Sequence, residues 1–413
     1  MSQSAPPPEP KIRRRRALSS LGGPSEVVAQ DPKLAVALRA SLDVDASEDR
    51  VLVHVHGFHS YPARMHPDTA RALILALSEK GDSVLDPFCG SGTVPVVARE
   101  LGRRALGSDL NPLAVELTRL KVDGTTFDFT SALCDAAGYV VEHAQDRQKA
   151  KLGPTAPYGR EDRDLFEPHV LLGLDGLRDG IDQLENDDIR HALLLVLSSM
   201  LTKLSNKPGD SATNERPRSL ARSFAFRFFL MKTNDLCQRM LAYSKLVPRG
   251  TPPARLEVSD ARQLVFLRDR SVSLVVTSPP YPGVYDYYEH HASRLRWLRL
   301  DGSELQRGEI GPRRAAGSPH RPASNRWETD FARCFAEIAR VLDAKGRAAL
   351  LVADSVIEGR PTYADEWLPE LAKRARLVTL GRASQIRPHF HSPTARAFVS
   401  RPRREHLIVL GRA

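Results

Sequence analysis

The sequence predicts an α/β protein with a doubly wound, mixed sheet and a mainly helical insertion. In residues 50–123 and again in residues 255–413, short apolar runs alternate with amphipathic segments of helix length, which is the rhythm of a largely parallel sheet covered by helices. Residues 124–254 carry long helical stretches with little strand-like alternation. A glycine-rich turn joins one apolar run to the following helix, where such folds bind ligands. We therefore expect one α/β domain assembled from two separated segments.

The elements of that domain are predicted from apolar runs and the turn residues that bound them. The first segment contributes a βαβα unit with a right-handed crossover: strands at 83–86 and 104–110 and helices at 94–102 and 111–122, after a helix at 66–82 and a strand or apolar lead-in at 51–58. The second segment contributes strands at 254–261, 272–281, 347–355 and 404–412, and helices at 326–346 and 364–376. Residues 300–324, rich in Arg, Gly and Pro, are predicted to form a long loop.

The composition limits which partners and which cellular compartment the sequence favours. Lys and Arg outnumber Asp and Glu by 60 to 50, which suits a polyanionic partner, although solubility alone also explains such a charge. Residues 1–28, with "KIRRRR" at 11–16, are predicted to be a disordered basic arm. The four cysteines lack metal-ligand spacing, so no metal site is expected. No apolar run is long enough for a membrane span, and we expect a cytoplasmic protein.

The turn "DPFCGSGT" (86–93) and the strand after it predict a nucleotide site. Gly90 and Gly92 allow the backbone to turn sharply and approach a ligand at a helix N-terminus. Asp109 ends the next strand, where a carboxylate can accept hydrogen bonds from the hydroxyls of a ribose. No Gly-Lys-Ser/Thr follows the turn, which disfavours a phosphate-binding loop. The predicted ligand is an adenosine derivative.

Three stretches together resemble a known family: "FHSYPARMHP" (58–67), "VLDPFCGSGT" (84–93) and "TSPPY" (277–281). They are similar to motifs of the DNA amino-methyltransferases that use S-adenosylmethionine and modify cytosine N4 or adenine N6. The resemblance covers residues of about 50–122 and 255–412. It implies a Rossmann-like methyltransferase sheet of about seven strands, with S-adenosylmethionine as the cofactor.

The resemblance also implies roles for individual residues. It assigns the ribose to Asp109 and the adenine amino group to Asp260, although Asp260 can equally be a strand-end cap. The full set of implied cofactor residues is Tyr61, Pro62, Asp86, Phe88, Gly90, Gly92, Thr93, Asp109 and Asp260.

The stretch "SPPY" supplies the predicted catalytic residues, Ser278, Pro279, Pro280 and Tyr281. The nitrogen lone pair of an exocyclic amine is delocalised into the base, so acceptors that hold the amine hydrogens assist methylation. The Ser278 hydroxyl and the Pro279 carbonyl can accept these hydrogens, and the prolines stiffen the end of the strand. Tyr281 offers a face for a base that has swung out of the duplex. Of the residues in "YDYY" (285–288), we expect some to line the pocket and others to pack.

In the family, serine at the first position of this motif accompanies cytosine N4 more often than adenine N6. We therefore expect a site-specific cytosine-N4 DNA methyltransferase. An N6-adenine enzyme, an RNA amino-methyltransferase and a catalytically silent DNA-binding module remain as alternatives. The expected partner is double-stranded DNA, and a cognate restriction nuclease is compatible with this function.

Residues 124–254 suit a target-recognition region, since they lie between the cofactor and catalytic motifs. Residues 214–232 interleave basic residues with four phenylalanines, which is typical of either a base-contacting face or a core helix with solvated arginines. The loop at 300–324 adds further arginines that can bind phosphates. The predicted nucleic-acid contacts are Arg216, Arg218, Arg222, Arg313 and Arg314.

Overall fold

A mixed sheet of eight strands is the centre of the fold. The computed structural model describes residues 23–45, 47–206, 220–313, 323–387 and 396–413. The sheet has the order β4-β3-β2-β5-β6-β10-β9-β1. Its strands are β1 (Glu26–Ala29), β2 (Ser83–Asp86), β3 (Arg104–Asp109), β4 (Arg255–Val258), β5 (Val272–Thr277), β6 (Leu342–Ala353), β9 (Leu377–Ile386) and β10 (Arg404–Arg412). A separate two-stranded sheet contains β7 (Ser355–Ile357) and β8 (Arg360–Thr362).

Helices connect and cover these strands. Those outside the insertion are α1 (Pro32–Leu42), α2 (Glu48–Val51), α3 (Pro67–Leu77), α4 (Thr93–Glu100), α5 (Pro112–Val122), α11 (Tyr287–Leu298), α12 (Ser303–Gly308), α13 (Ala323–Val341) and α14 (Ala364–Arg374). The insertion contributes α6 (Phe127–Lys149), α7 (Arg160–Leu165), α8 (Pro168–Asp182), α9 (Asp187–Leu204) and α10 (Phe224–Ser244). Short 3₁₀ turns lie at His54–Gly57 and Arg396–Phe398. Among the described residues, no helix is both long and apolar enough to cross a membrane.

The sheet buries side chains on both faces, because successive residues of a strand point to opposite sides. Leu85 and Val275 pack on one face with α13 and α14. Val84 and Leu274 pack on the other face with α1, α3 and α4. The strands β2, β3, β4, β5 and β6 are mutually parallel, whereas β10 runs antiparallel to both β6 and β9. This is the predicted doubly wound, mixed sheet.

The insertion is helical, as the sequence predicts, and no strand occurs in residues 124–206 or 220–254. Its helices do not form a core of their own. Leu133, Leu174 and Phe229 pack in one cluster with Leu117 of α5 and Trp297 of α11. The insertion therefore extends the layer of helices beside the sheet, and it is continuous with the domain that carries the predicted catalytic motif.

The N-terminal segment corrects two predictions. Residues Glu26–Ala29 form β1, which pairs antiparallel with β9, so the predicted disordered arm (1–28) is wrong at its C-terminal end; residues 1–22 lie outside the described part of the chain. The sheet consequently has eight strands where about seven were expected. The physical reason is α1, whose Leu34 and Leu38 side chains cover β9 at Gly381 and bring the neighbouring β1 to the edge of the sheet.

Two further predictions are corrected nearby. The lead-in at 51–58 is a 3₁₀ turn, His54–Gly57, and not a strand. The predicted loop at 300–324 contains α12 and the beginning of α13.

Replacement of Leu38 tests whether this N-terminal segment belongs to the folded domain. The Leu38 side chain is fully buried, so Leu38→Ala should lower the free energy of unfolding by about 2–5 kcal/mol. Val36 lies on the same helix with its side chain exposed, and Val36→Ala should change stability by no more than about 0.5 kcal/mol. Chemical denaturation of both variants measures the difference; equal stabilities would contradict the packing described here.

Candidate active site

The predicted cofactor and catalytic motifs meet in one cleft at the carboxyl ends of β2 and β5. These strands are parallel neighbours, with Val84 opposite Leu274. The chain leaves β2 towards β3 and β4, and then returns across the sheet to β5 and β6. Side chains and backbone at such a switch point enclose a crevice, which is where doubly wound sheets bind ligands. The cleft here contains about 870 Å³ of space, including its opening to solvent.

Most of the predicted site residues line this cleft. They are Tyr61, Pro62, Asp86, Phe88, Gly90, Thr93, Asp109, Asp260, Ser278 and Pro280. The other lining residues are Ala63, Arg64, Met65, Pro87, Cys89, Ser91, Leu110, Asn111, Ala261, Tyr287, Leu305, Gly308, Glu309 and Ile310. Gly92, Pro279 and Tyr281 lie outside the lining, and each has a position described below.

Both glycines of the turn have left-handed backbone conformations, with φ of +49° at Gly90 and +88° at Gly92. A Cβ atom on Gly92 would lie 2.8 Å from Thr118 Oγ1, so Gly92 is required for the turn to pack on α5. A Cβ atom on Gly90 would lie 3.2 Å from the Tyr61 ring. Thr118 also donates a hydrogen bond of 3.0 Å to the Gly90 carbonyl. The turn is therefore held by α5 through Thr118, and the Tyr61 ring packs against it at Gly90.

Asp109 joins the glycine turn to the beginning of α5. Its carboxylate accepts hydrogen bonds of 2.9 Å from the backbone N–H groups of Gly90 and Asn111. Burial raises the pKa of Asp109 to about 6, although these backbone donors favour the charged form. An ionised carboxylate can accept about four hydrogen bonds, so acceptor capacity remains on the cleft side for ribose hydroxyls.

A buried hydrogen bond connects the two motifs directly. Thr277, the last residue of β5, donates from Oγ1 to Asp86 Oδ1 over 2.6 Å. The same carboxylate oxygen accepts from the backbone N–H of Phe88 in the glycine-rich stretch. Burial raises the pKa of Asp86 to about 7, with the Thr277 hydrogen bond opposing this shift. Asp86 therefore fixes Ser278, the next residue after Thr277, relative to the turn.

Asp260 lines the cleft, but its carboxylate is occupied by Arg262. Oδ1 accepts from the Arg262 backbone N–H and from Nε, and Oδ2 accepts from Nε and Nη2. Arg262 also donates to Asp330. These three N–H groups take up most of the about four acceptor sites of the Asp260 carboxylate, which favours the structural alternative, a cap at the end of β4.

The four residues of "SPPY" have different surroundings. Ser278 and Pro280 line the cleft, whereas Pro279 is buried. Tyr281 is half-buried, and its ring packs against the core under the sheet. Its hydroxyl lies 3.2 Å from Ser278 Oγ, 3.4 Å from the Leu351 carbonyl oxygen and 3.4 Å from Glu405 Oε1. The hydroxyl of Tyr281 thus lies close to that of Ser278, and Tyr281 is not among the residues that line the cleft.

Sequence reasoning identified only part of the cleft wall opposite the glycine turn. Tyr287 lines the cleft, as expected for some of the residues at 285–288. Leu305, Glu309 and Ile310 were missed because they follow α11 in a stretch predicted to be an irregular loop. The Glu309 carboxylate accepts a hydrogen bond from the Tyr287 backbone N–H, which ties this wall to the beginning of α11.

The predicted nucleic-acid contacts are only partly described by the structure. Arg216, Arg218 and Arg314 lie outside the described residues. Arg222 is exposed at the beginning of α10, and Arg313 is exposed with its Nε 3.4 Å from Asp286. The neighbouring Phe226, Phe228 and Phe229 are buried, which agrees with the core-helix alternative for the phenylalanines.

Two clusters of potential metal ligands lie among the described residues, apart from the cleft lining. One contains His54, His56 and Glu100, and the other contains Asp354, Asp365 and His406. Arginines already pair with a carboxylate in each cluster: Arg71 with Glu100, and Arg401 with Asp365. The expectation that the protein uses no metal stays a prediction.

The fold and the site together define the class of protein. A doubly wound sheet with an antiparallel β10 inserted beside β6, a glycine turn after β2 and an acidic residue after β3 are the features of the Rossmann-like methyltransferases that use S-adenosylmethionine. The cleft suits this cofactor, because Gly90 lines it without a side chain and Asp109 offers an acceptor for a ribose.

Comparison with known proteins identifies the family. A family model described as DNA methylase matches residues 43–119. The type II methyltransferase M.MjaII from Methanocaldococcus jannaschii is 32% identical to this chain over 369 residues, which cover 68% of this chain and 69% of that protein. The type II methyltransferase M.MvaI from Kocuria varians is 23% identical over 244 residues, 55% of this chain and 53% of the relative. The chain belongs to the family of S-adenosylmethionine-dependent DNA amino-methyltransferases.

Two further similarities are to methyltransferases of RNA. A tRNA (guanine(10)-N2)-dimethyltransferase from Methanothermobacter thermautotrophicus is 42% identical over 60 residues, 14% of this chain and 18% of that protein. The solved structure of the rRNA methyltransferase aviRa from Streptomyces viridochromogenes covers 90% of this chain and 96% of its own, with 13% identity and a TM-score of 0.33. The fold class stated above rests on the strand order of this chain itself.

The raised pKa of Asp109 predicts that cofactor binding depends on pH. Ionised Asp109 is the better acceptor for ribose hydroxyls, so affinity for S-adenosylmethionine should fall as the pH is lowered through about 6. The pKa of Asp109 is higher in the folded protein than in the unfolded chain, so protonation of Asp109 does not itself unfold the protein. The contribution of Asp109 to the free energy of unfolding instead falls as the pH rises from about 4 to about 6. Isothermal titration calorimetry at a series of pH values measures the effect.

The Asp109→Asn variant is the control for this pH dependence. It should bind the cofactor more weakly, and its affinity should no longer fall as the pH is lowered through about 6. A step near pH 6 that persists in the variant would assign the titration to another group.

Proposed function

We propose that the protein transfers a methyl group from S-adenosylmethionine to the exocyclic N4 of cytosine in double-stranded DNA. The observation that carries the proposal is the position of Ser278: it lines the cleft that the glycine turn also lines, at the tip of the strand beside β2. A hydroxyl at this position can hold the amine of a base opposite the cofactor. The cofactor supplies an electrophilic methyl group on a sulfonium.

The contacts of Ser278 support a role as a hydrogen-bond acceptor. Tyr281 has one hydroxyl proton, which it can donate to the Leu351 carbonyl or to Glu405. Its oxygen then accepts the proton of Ser278 Oγ, 3.2 Å away. Both lone pairs of Ser278 Oγ remain available for the amine hydrogens of a base. Tyr281 thus acts by orienting the serine, and this differs from the stacking role that the sequence motif implies.

Holding the amine hydrogens favours a pyramidal nitrogen whose lone pair points at the methyl group. As the N–C bond forms, the S–C bond breaks, the sulfonium becomes a thioether and one amine proton must leave. The Ser278–Tyr281–Glu405 series of oxygens offers a route away from the cleft for that proton. The Pro279 carbonyl stays a predicted second acceptor.

Serine at the first position of the motif supports cytosine N4 over adenine N6. The type II methyltransferase relatives support DNA as the substrate and a role as the modification half of a restriction system, with a cognate nuclease as partner. The net charge of +10 and the exposed Arg222 and Arg313 support contact with DNA phosphates. We retain residues 124–254 as the proposed target-recognition region, because α10 begins with exposed arginines beside its buried phenylalanines.

The base is identified by expressing the protein in a host without DNA methylation and analysing nucleosides from its DNA and RNA by mass spectrometry. The proposal predicts N4-methylcytosine in DNA, confined to one sequence context. N6-methyladenine in DNA would agree with the family assignment but would refute cytosine as the methylated base. Methylated RNA with unmodified DNA would overturn the proposed substrate.

Substitutions at Ser278 and Tyr281 test the proposed roles. Ser278→Ala removes the acceptor and should reduce the single-turnover rate by about 100-fold or more, while affinity for S-adenosylmethionine stays unchanged. Tyr281→Phe keeps the ring and removes only the hydroxyl, so a loss of about tenfold is expected if the tyrosine orients Ser278. A stacking role alone predicts full activity for Tyr281→Phe, and that result would refute the orienting role.

A further inference from the structure

A buried arginine beside the cleft joins three segments that are far apart in sequence. Arg294 of α11 is 2% exposed, and its Nη2 donates to Ser60 Oγ over 2.9 Å and to Thr202 Oγ1 over 2.7 Å. Ser60 belongs to the loop that precedes α3, and Thr202 belongs to α9 of the insertion. One guanidinium therefore holds the loop against both the insertion and the helix that follows the catalytic motif.

The residue after Ser60 transmits this contact to the cofactor turn. Tyr61 lines the cleft and stacks on His291, with ring centroids 4.7 Å apart and planes inclined by 25°. Its hydroxyl accepts a hydrogen bond from Asn111 Nδ2 over 3.3 Å, and its ring edge lies against Gly90. The position of Tyr61 is thus set on one side by α11 and on the other by the glycine turn.

Two histidines complete the support and stay neutral. Burial keeps the pKa of both His59 and His291 well below the usual range, with the Arg294 charge acting in the same direction. Arg294 Nη1 lies 3.2 Å from His291 Nδ1; since a guanidinium only donates, Nδ1 accepts and the proton of His291 is on Nε2. His59 Nε2 lies 3.1 Å from Ser198 Oγ of α9. The loop is therefore anchored at two successive residues: His59 contacts α9 directly, and Ser60 accepts from Arg294, which also donates to Thr202 of α9.

Burying a guanidinium is costly, and an apolar side chain of similar volume would fill the same space more cheaply. A planar fork with several donors can, however, fix two hydroxyls on different segments in one geometry. Arg294 fixes the hydroxyl of Ser60, and the next residue, Tyr61, lines the cleft. Its fixed geometry thus serves the cofactor site.

We propose that Arg294 is a positioning residue for S-adenosylmethionine: it holds the loop at residues 58–64 so that Tyr61 closes the cofactor turn at Gly90. Arg294 is not among the residues that line the cleft, and in this role it acts through Ser60 and His291. The inference rests on the cofactor of the family and is independent of the base that is methylated. It also makes the cofactor site depend on α9, a helix of the insertion.

The chain offers a matched control on the same helix. Arg296 lies two residues further along α11 and pairs with Asp162 and Glu161 of α7, away from the loop at 58–64. Arg294→Met and Arg296→Met each remove one guanidinium and keep a long side chain. Comparing them separates an effect on the cofactor loop from a general effect of losing a buried or half-buried arginine on α11.

The test measures cofactor affinity without DNA, by isothermal titration calorimetry with S-adenosylmethionine. Arg294→Met should weaken binding by about tenfold or more, and Arg294→Lys should restore part of it, because an ammonium still donates to a hydroxyl. Arg296→Met should bind within about twofold of the wild type. Hydrogen exchange should become faster in residues 58–64 of Arg294→Met only. Single-turnover rates at saturating cofactor should change little.

Ser60→Ala covers the case in which Arg294→Met fails to fold. It removes one acceptor of Arg294 and should weaken cofactor binding in the same direction by a smaller factor. Unchanged affinity in Ser60→Ala, or in a folded Arg294→Met, would overturn the inference, as would an equal loss in Arg296→Met. Failure of the proposed cytosine specificity would leave all of these binding results unchanged.

Discussion

The hydrogen bond between Thr277 and Asp86 is the interaction on which the site depends. It joins the ends of β5 and β2, 191 residues apart in sequence, over 2.6 Å. Both side chains are buried, so loss of either partner costs the other a hydrogen bond that is hard to replace. Asp86 begins the glycine-rich stretch and Thr277 precedes the proposed catalytic serine. This one hydrogen bond therefore fixes the glycine turn, which is proposed to bind the cofactor, relative to Ser278, which is proposed to hold the amine.

The topology of the sheet makes this contact available, and the helices around it make it rigid. The chain turns outwards after β2 and returns to β5, which places two distant strand ends side by side at the switch point. The insertion lies between β3 and β4 in this part of the chain, and its helices share a hydrophobic core with α5 and α11. Through Arg294, the same helices hold the loop that closes the cofactor turn. A region proposed to read the target is thus mechanically continuous with the site that binds the cofactor.

Local sequence patterns were sufficient for the parts of the molecule that local physics determines. The strands β2, β3 and β5 and the glycine turn were predicted because apolar runs, left-handed glycines and strand-end carboxylates are readable from a few residues. The short β1 and the mixed polar and apolar β9 were missed, because their pairing depends on α1 and on neighbouring strands. The ion pair between Arg262 and Asp260 and the contact between the hydroxyls of Tyr281 and Ser278 were also not predicted. Each of these contacts depends on a tertiary arrangement that the motif itself does not encode.

The most direct test of the central claim is a double-mutant cycle on the bond between the two strand ends. Single-turnover methylation is measured at saturating S-adenosylmethionine for Asp86→Ala, Thr277→Val and the double variant. If this bond fixes the turn relative to Ser278, the double variant should be little slower than the slower single variant, with a coupling free energy of about 1 kcal/mol or more. Losses that multiply across the two substitutions would show that the two residues act independently, and this would contradict the account.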